Sequence, residues 1–151
     1  MKRMKRVLAV VIALSVISGY FSVRTEKTVS AAKADKNITV KVTSDYTLKL
    51  PGSWKGNYIM KRNGKNSVSF YAKKCYKQKK AGWLFSIEKC KDESYEDALS
   101  YELVGRWGDY DYVAMYPTEV QVEGATKSAA KQYRKMSKDV EKIAKSIQAL
   151  K

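Results

Sequence analysis

The stretch NYIMKRNGKNSVSFYA, residues 57–72, predicts a β-hairpin and therefore an antiparallel sheet. Asn63-Gly64 lies between two runs of alternating apolar and polar residues, and Asn-Gly is the strongest short-range signal for a two-residue hairpin turn. Such a turn pairs Arg62 with Lys65. Counting along each strand from this pair gives the other cross-strand pairs and shows which side chains share a face of the sheet. The expected pairs are Met60 with Ser67 and Ile59 with Val68; the core side is expected to hold Ile59, Val68, Phe70 and Ala72, and the other side Tyr58, Met60 and Tyr71.

Two further strands are predicted before this hairpin. ITVKV, residues 38–42, and YTLKL, residues 46–50, alternate apolar and polar side chains, as half-buried strands do. Pro51-Gly52 ends the second strand, and Trp54 follows. We interpret Trp54 as a core anchor, with the wall of a binding site as the alternative.

The pattern after the hairpin changes from strand to loop, strand, helix and hairpin. KKCYKQKKAG, residues 73–82, is expected to be a lysine-rich loop, and WLFSIEKC, residues 83–90, a strand. Ser94 and Asp97 have the spacing of a capping box and predict a short helix. Gly108-Asp109 predicts a second hairpin turn, which pairs Val104 with Val113, Trp107 with Tyr110, and Arg106 with Asp111.

The C-terminal segment reads as one long helix from about Thr126 to the end of the chain. Its apolar residues recur every three or four positions and form a single stripe: Ala129, Tyr133, Met136, Val140, Ile143, Ala144 and Ile147. The complete pattern predicts an α+β fold, in which an antiparallel β-sheet meander carries a short inserted helix and a long C-terminal helix packed on one face.

Residues 1–34 have the order of a secretory signal peptide. A basic start, MKRMKR, precedes an apolar run, and Ala32-Lys33-Ala34 matches a small-residue cleavage site. We expect cleavage after Ala34 or Ala32, which leaves residues 35–151 as a single secreted domain. The alternative is an uncleaved N-terminal helix that anchors the chain in the membrane, because the apolar run is close to the length of a spanning helix.

Three motifs resemble a known type of domain: LKLPGSWKG at residues 48–56, GWLFSIE at 82–88 and YPTEVQ at 116–121. They resemble small uncharacterised secreted domains of Gram-positive bacteria. The order of elements is distantly similar to the PsbP-like α+β fold. This resemblance implies a binding or assembly module and carries no catalytic residue over to this chain.

The residue types in the chain favour a protein that is not an enzyme and has no cofactor. Without histidine, Ser-His-Asp triads and histidine metal sites are excluded. Ser128 and Lys131 match S-x-x-K without its companion motifs. The carboxylates of residues 109–123 could support glycosidase chemistry, but Asp109 and Asp111 are better explained by the turn and by cross-strand pairing. An enzyme based on carboxylates therefore remains the last alternative.

The two cysteines are predicted not to form an intramolecular disulfide. If Phe70 and Phe85 lie opposite each other, Cys75 is near the connecting loop and Cys90 at the far end of its strand. Seven residues of offset correspond to roughly 23 Å, against less than ~7 Å between the Cα atoms of a disulfide.

Charge is distributed unevenly along the mature chain. Residues 35–151 carry a net charge of +9, but residues 88–123 alone carry −7. The basic residues concentrate in the lysine-rich loop and on the last helix, opposite its apolar stripe. These are the candidate anion-binding residues: Lys73, Lys74, Lys77, Lys79, Lys80, Lys131, Arg134, Lys138 and Lys142.

A second candidate surface is aromatic and comprises Trp107, Tyr110, Tyr58 and Tyr71. The expected function is that of a secreted, non-catalytic binding module of the cell envelope, whose ligand is an unknown envelope component. The main alternative is electrostatic attachment to an anionic cell-wall polymer or membrane surface through the lysine loop and the last helix. Nucleic acid ranks below both, because an exported protein seldom meets it, and no metal partner is expected.

Overall fold

The computed structural model describes residues 36–151. The predicted signal peptide, its cleavage site and the alternative membrane anchor lie outside the described residues. Residues 36–151 have the expected α+β fold, with eight strands and three helices. The strands are β1 (Ile38–Lys41), β2 (Tyr46–Leu50), β3 (Tyr58–Asn63), β4 (Ser67–Ala72), β5 (Trp83–Cys90), β6 (Tyr101–Trp107), β7 (Tyr110–Met115) and β8 (Gln148–Ala149), and the helices are α1 (Lys73–Lys79), α2 (Lys127–Ser137) and α3 (Val140–Ala144). None of these helices is both long enough and apolar enough to cross a membrane.

The strands form two antiparallel sheets, so the predicted single sheet is wrong. One sheet has the order β1-β2-β8 and the other β3-β4-β5-β7-β6. Pro51 and a 3₁₀ turn at Gly52–Trp54 separate β2 from β3. Trp54 is completely buried, and its indole N–H donates to the Asp139 carboxylate over 3.1 Å. The prediction of Trp54 as a core anchor is therefore confirmed.

The first hairpin forms as expected but in a different register. Asn63 pairs with Ser67 across a loop of three residues, and Met60 faces Phe70. The Asn63 side-chain amide donates to the Ser69 hydroxyl over 2.6 Å, which holds Asn63 in the strand. A slip by an odd number of residues exchanges the two faces of a strand. Tyr58 and Met60 therefore pack against the core, whereas Ile59 shares the opposite face with Tyr71.

One continuous core joins the two sheets and the C-terminal helices. It is formed by β2, by one face of the five-stranded sheet, called the inner face, and by the apolar sides of α2 and α3. Phe70 faces Phe85 as predicted, and their rings stack 4.6 Å apart. The opposite face of this sheet is called the outer face.

The inserted helix lies at a different place from the predicted one. The expected lysine-rich loop contains α1, which buries Cys75 and ends at Lys80 in the left-handed conformation. Gly82 packs so closely that a Cβ there would lie 2.4 Å from the Cβ of Cys75. Lysine and glutamine are good helix formers, and hydrogen bonds of Lys74 and Gln78 to α2 and its cap, together with the buried Cys75, hold this short helix in place.

No helix forms at residues 94–97, contrary to the capping-box prediction. The Ser94 N–H donates to the Asp92 carboxylate, and the Tyr95 hydroxyl donates to the buried Asp111 carboxylate over 2.7 Å. The backbone makes i to i+3 turns here instead of i to i+4 bonds. The bond to Asp111 fixes this segment against the sheet and replaces the helix.

The C-terminal helix begins as predicted, since the Thr126 hydroxyl accepts from the Ala129 N–H. It does not continue to the end of the chain but breaks between Ser137 and Val140. Asp139 lies in this break and binds the Trp54 indole. After α3 the chain forms β8, where Ala149 pairs with Tyr46 of β2.

The second hairpin confirms two of the three predicted pairs. Trp107 faces Tyr110 and Arg106 faces Asp111. The predicted pair of Val104 with Val113 is wrong, because a bulge follows Leu103 and places Leu103 opposite Val113. At the bulge the Trp107 ring covers Gly105, where a Cβ would lie only 2.4 Å from the ring.

Candidate anion-binding site

The basic face of α2 is exposed because its apolar stripe is buried. Ala129, Tyr133 and Met136 point into the core. Residues on the far side of the helix therefore face solvent. Lys131, Arg134 and Lys138 are exposed there, as predicted from the helical spacing.

A groove of about 780 Å³ and a second of about 740 Å³ adjoin this basic face. The smaller one, called the α2 groove, lies between α2 and the segment that precedes it. Three of its lining residues are apolar, five are basic and none is acidic: Val122, Ala125, Ala130, Lys127, Lys131, Arg134, Lys135 and Lys138. Its lining therefore combines an apolar part with a concentration of positive charge.

The larger one, called the α3 groove, lies between α3, the end of β2 and the residues just before β1. It is lined by Asn37, Lys49, Pro51, Lys138, Asp139, Glu141, Lys142, Ile143, Lys145 and Ser146. The Lys145 ammonium forms ion pairs with the Glu141 and Glu102 carboxylates and lies 3.1 Å from Oε1 of Glu102. The basic residues without such a partner are Lys49, Lys138 and Lys142. Because Lys138 lines both grooves, the two form one continuous basic surface.

Two carboxylates, Asp139 and Glu141, line the α3 groove, but most of the basic side chains of this surface form no ion pair with a carboxylate of the described residues. The ion pairs within residues 36–151 join Lys89 to Asp45, Arg106 to Asp111, and Lys145 to Glu102 and Glu141. The other basic residues of the grooves have no ion pair in this part of the chain: Lys49, Lys127, Lys131, Arg134, Lys135, Lys138 and Lys142. Such a surface attracts anions at a distance and has donors ready to bind them.

The candidate lysines of α1 lie apart from both grooves. Lys74 donates from its ammonium group to the Ser128 hydroxyl over 2.8 Å, and so ties α1 to α2. Lys73 donates to the Gly56 carbonyl, and the Lys80 ammonium lies 5.0 Å from the centre of the Tyr76 ring. Lys77 and Lys79 are exposed. The predicted set therefore divides, because only Lys131, Arg134, Lys138 and Lys142 line the grooves.

The four candidate aromatic residues do not form one surface. Tyr58 packs near Phe70 on the inner face, whereas Tyr71 lies on the outer face against Tyr76. Trp107 contacts the buried Tyr112 ring, with centroids 4.5 Å apart. Tyr110, beside it in the hairpin, lies under the Lys89 ammonium. All four side chains are half-buried. Each packs against different residues, so they do not provide a shared contact surface.

The carboxylate at position 111 is held by its neighbours. Arg106 donates two hydrogen bonds to Asp111 and Tyr95 donates a third. The Arg106 bonds, followed by the Tyr95 bond, lower the pKa of Asp111 to about 2. The same contact with Asp111 raises the pKa of Tyr95 to about 12. These groups hold the hairpin together, as the cross-strand pairing predicted.

Other reactive side chains are separate from one another. Cys75 and Cys90 are free thiols, and burial raises the pKa of each. Ser128 of the S-x-x-K match accepts the bond from Lys74 described above. No cluster of three or more cysteine, aspartate or glutamate side chains suited to a metal ion occurs in residues 36–151.

Sequence reasoning missed the contribution of Lys49 and Asn37 to the α3 groove. Lys49 occupies a polar position of the alternating strand YTLKL, so that its exposure could have been predicted. Its proximity to α3 could not, because 97 residues separate Lys49 from Ser146, whose hydroxyl accepts from the Lys49 N–H. No protein-family model, no curated protein and no solved structure matches the chain. The resemblance to PsbP-like domains therefore stays a prediction.

Proposed function

We propose that the protein is a binding module of the cell envelope that holds a linear anionic polymer, such as teichoic acid, along α2 and α3. One observation carries the proposal. The α2 groove is lined by five basic side chains and no carboxylate, and none of the five has an ion pair within residues 36–151. A polyanion would supply the missing counter-charges.

The shape of the surface suits a chain-like ligand. Lys127 and Lys131 lie on α2, Lys138 follows the last residue of this helix, and Lys142 lies on α3. At ~1.5 Å per residue, the span from Lys127 to Lys138 is roughly 16 Å. Several successive charges of a polymer could contact these lysines at the same time. Each exposed contact is weak, but the contacts together would add up to a useful affinity.

A polymer fits this surface better than a membrane does. Amphipathic helices bind membranes by inserting an apolar face between lipids. The apolar face of α2 is buried in the core. Of the exposed large apolar residues of the described chain, Val120 lines a pocket with Ser137 and Val140, at the junction of α2 and α3. The others line neither groove: Leu99, Tyr101, Leu103 and Leu150. The basic face therefore has many charges for an anionic surface but a single exposed large apolar side chain beside it.

The test is retention of the protein on immobilised teichoic acid. Replacing Lys131, Lys138 and Lys142 by glutamine should weaken binding about ten-fold, as expected for three exposed ion contacts. Binding of the unaltered protein should also fall as salt rises, because the Debye length shrinks from ~10 Å at 0.1 M to ~3 Å at 1 M.

A matched control separates the groove from net charge. Lys41, Lys55 and Lys65 are exposed and line neither groove, so the triple glutamine variant at these positions removes the same charge. Equal losses for both triple variants would contradict a defined site. Equal binding to vesicles of anionic lipid and to the polymer would instead favour the membrane alternative.

A further inference from the structure

A second surface with unused binding capacity is the β6 edge of the five-stranded sheet, whose other edge is β3. β6 is the last strand of this sheet and pairs only with β7. Within residues 36–151 its backbone makes no hydrogen bond to any segment beyond β7. An unpaired strand edge is a template for a further strand, and proteins usually cover or block it.

This edge also presents apolar side chains at alternate positions. Leu99, just before the strand, is 91 % exposed, Tyr101 is 38 % exposed and Leu103 is 45 % exposed. Tyr101 faces Met115 and Leu103 faces Val113, so both stand on the outer face. We call Leu99, Tyr101 and Leu103 the β6 stripe. When a peptide adds to a sheet as a further strand, apolar contacts with every second side chain of the peptide give specificity.

The surroundings of the β6 stripe are acidic. The Tyr95 ring contacts the Tyr101 ring, with centroids 5.4 Å apart, and so holds the segment around it beside the stripe. This segment contains Asp92, Glu93, Glu96 and Asp97, and none of these carboxylates has an ion pair within the described residues. Charge complementarity therefore favours a basic occupant.

We propose that the free edge of β6 binds an extended basic segment of a partner protein, which adds as a further strand and places apolar side chains on the β6 stripe. The bulge after Leu103 interrupts the regular edge. Bulges limit strand pairing, so the segment bound here is short. A second copy of this chain is a poorer occupant in edge-to-edge pairing, because residues 88–123 carry −7 in each copy.

Three blocked hexapeptides test the proposal: KVKVKV as the probe, EVEVEV with the opposite charge, and KVPVKV, in which proline removes a backbone donor. Binding is measured by titrating the fluorescent peptides with the full-length protein up to roughly 1 mM, the limit of weak affinity. KVKVKV should bind at least about ten-fold more tightly than either control peptide.

Two variants locate the binding site on the protein. Leu103→Arg places in the β6 stripe a charge of the same sign as the lysines of KVKVKV, and should weaken binding of this peptide at least about ten-fold. Val120→Arg is its matched control, because Val120 is also exposed, at 61 %, but lies outside the stripe. Should Leu103→Arg unfold, Leu99→Ser serves instead, since a side chain 91 % exposed adds little to folding.

Any of five results would overturn the proposal. Three concern the peptides: no binding of KVKVKV, equal binding of KVKVKV and EVEVEV, and equal binding of KVKVKV and KVPVKV. Two concern the protein: equal losses in Leu103→Arg and Val120→Arg, and a doubling of the mass in solution that Leu103→Arg abolishes. The last result would assign the edge to a second copy of the chain. The anionic-polymer proposal is unaffected by each of them, since the β6 stripe shares no residue with the grooves.

Discussion

Two charged regions of the molecule use their charges in opposite ways. In the β6–β7 hairpin, the exposed Arg106 side chain is bonded to a carboxylate that is 11 % exposed, and Tyr95 completes the arrangement. On the surface of α2 and α3, Lys131 and Lys138 are exposed and have no ion pair within residues 36–151. The hairpin uses charge to fix its own conformation, whereas the helical surface leaves charge available for a ligand.

The same contrast occurs between neighbouring residues of one short helix. Ile143 of α3 is buried in the core, and Lys142 is exposed in the α3 groove. The direction in which each side chain points thus decides whether the residue stabilises the fold or is available to a ligand. Substitutions on the two sides should have separate effects, on stability and on binding, and the following experiments test that separation.

The largest effect is expected for Ile143→Asp. It places an unpaired carboxylate at a position that is 1 % exposed and should destabilise the protein by about 3–5 kcal/mol. Urea denaturation gives the free energy of unfolding. Lys142→Gln is the control and should leave this free energy unchanged within about 0.5 kcal/mol. Similar losses for both variants would show that the two sides of α3 are not distinct.

A smaller effect is expected where the core meets the basic surface. Trp54→Phe removes the indole N–H that donates to Asp139 and should cost about 1–3 kcal/mol of stability. Asp139→Ala removes the acceptor, so the double variant should lose less than the sum of the two single losses. Strict additivity in denaturation experiments would mean that this bond does not couple Trp54 to the break between α2 and α3.

The Asp111 arrangement should appear in the acid dependence of stability. The pKa of Asp111 is lowered from 3.8 to about 2 in the folded protein. Its contribution is therefore complete above the pKa of the unfolded chain and is lost as the pH falls from about 4 through 2. Asp111→Asn should have a lower melting temperature at pH 7 and a shallower decline between pH 4 and 2.

The control for this titration is Asp109→Asn in the same turn, since Asp109 has no ion pair among the described residues. Its melting curve should follow that of the unaltered protein at every pH. Some decline must remain in Asp111→Asn, because the Lys89 bond lowers the pKa of Asp45 as well. Parallel acid curves for Asp111→Asn and the unaltered protein would contradict the assignment.

The smallest effect on stability is expected on the basic surface. The Lys131, Lys138 and Lys142 glutamine variant should unfold with a free energy within about 0.5 kcal/mol of the unaltered protein, although it should bind the polymer about ten-fold more weakly. A stability loss comparable to that of Trp54→Phe would mean that these lysines support the fold instead.

Local sequence patterns predicted most strands and the start of the last helix. Alternation identified β1, β2 and β5, and α2 begins directly after Thr126, where the helical pattern was expected to start. The helical spacing also grouped Lys131, Arg134 and Lys138, because residues three, four and seven apart share one face of a helix. Half of the candidate site, the basic face of α2, was thus predictable.

The remaining differences come from contacts with residues outside each local motif. Asn63 belongs to β3 and not to the turn because its side chain reaches Ser69. The segment around Ser94 is not helical because Tyr95 binds Asp111, which lies 16 residues further on. In both cases more than one conformation satisfies the local rule, and a side-chain hydrogen bond to a residue outside the local motif selects one of them.

By itself, the sequence determined the fold class, the approximate positions of most strands and the uneven distribution of charge along the chain. These depend on side-chain periodicity and composition, which are local properties. Only the tertiary structure decided that the strands divide into two sheets, that Lys49 joins Lys138 and Lys142 at one groove, and that β6 has a free edge. These arrangements depend on which distant segments pack together, and burial of one shared core selects that packing.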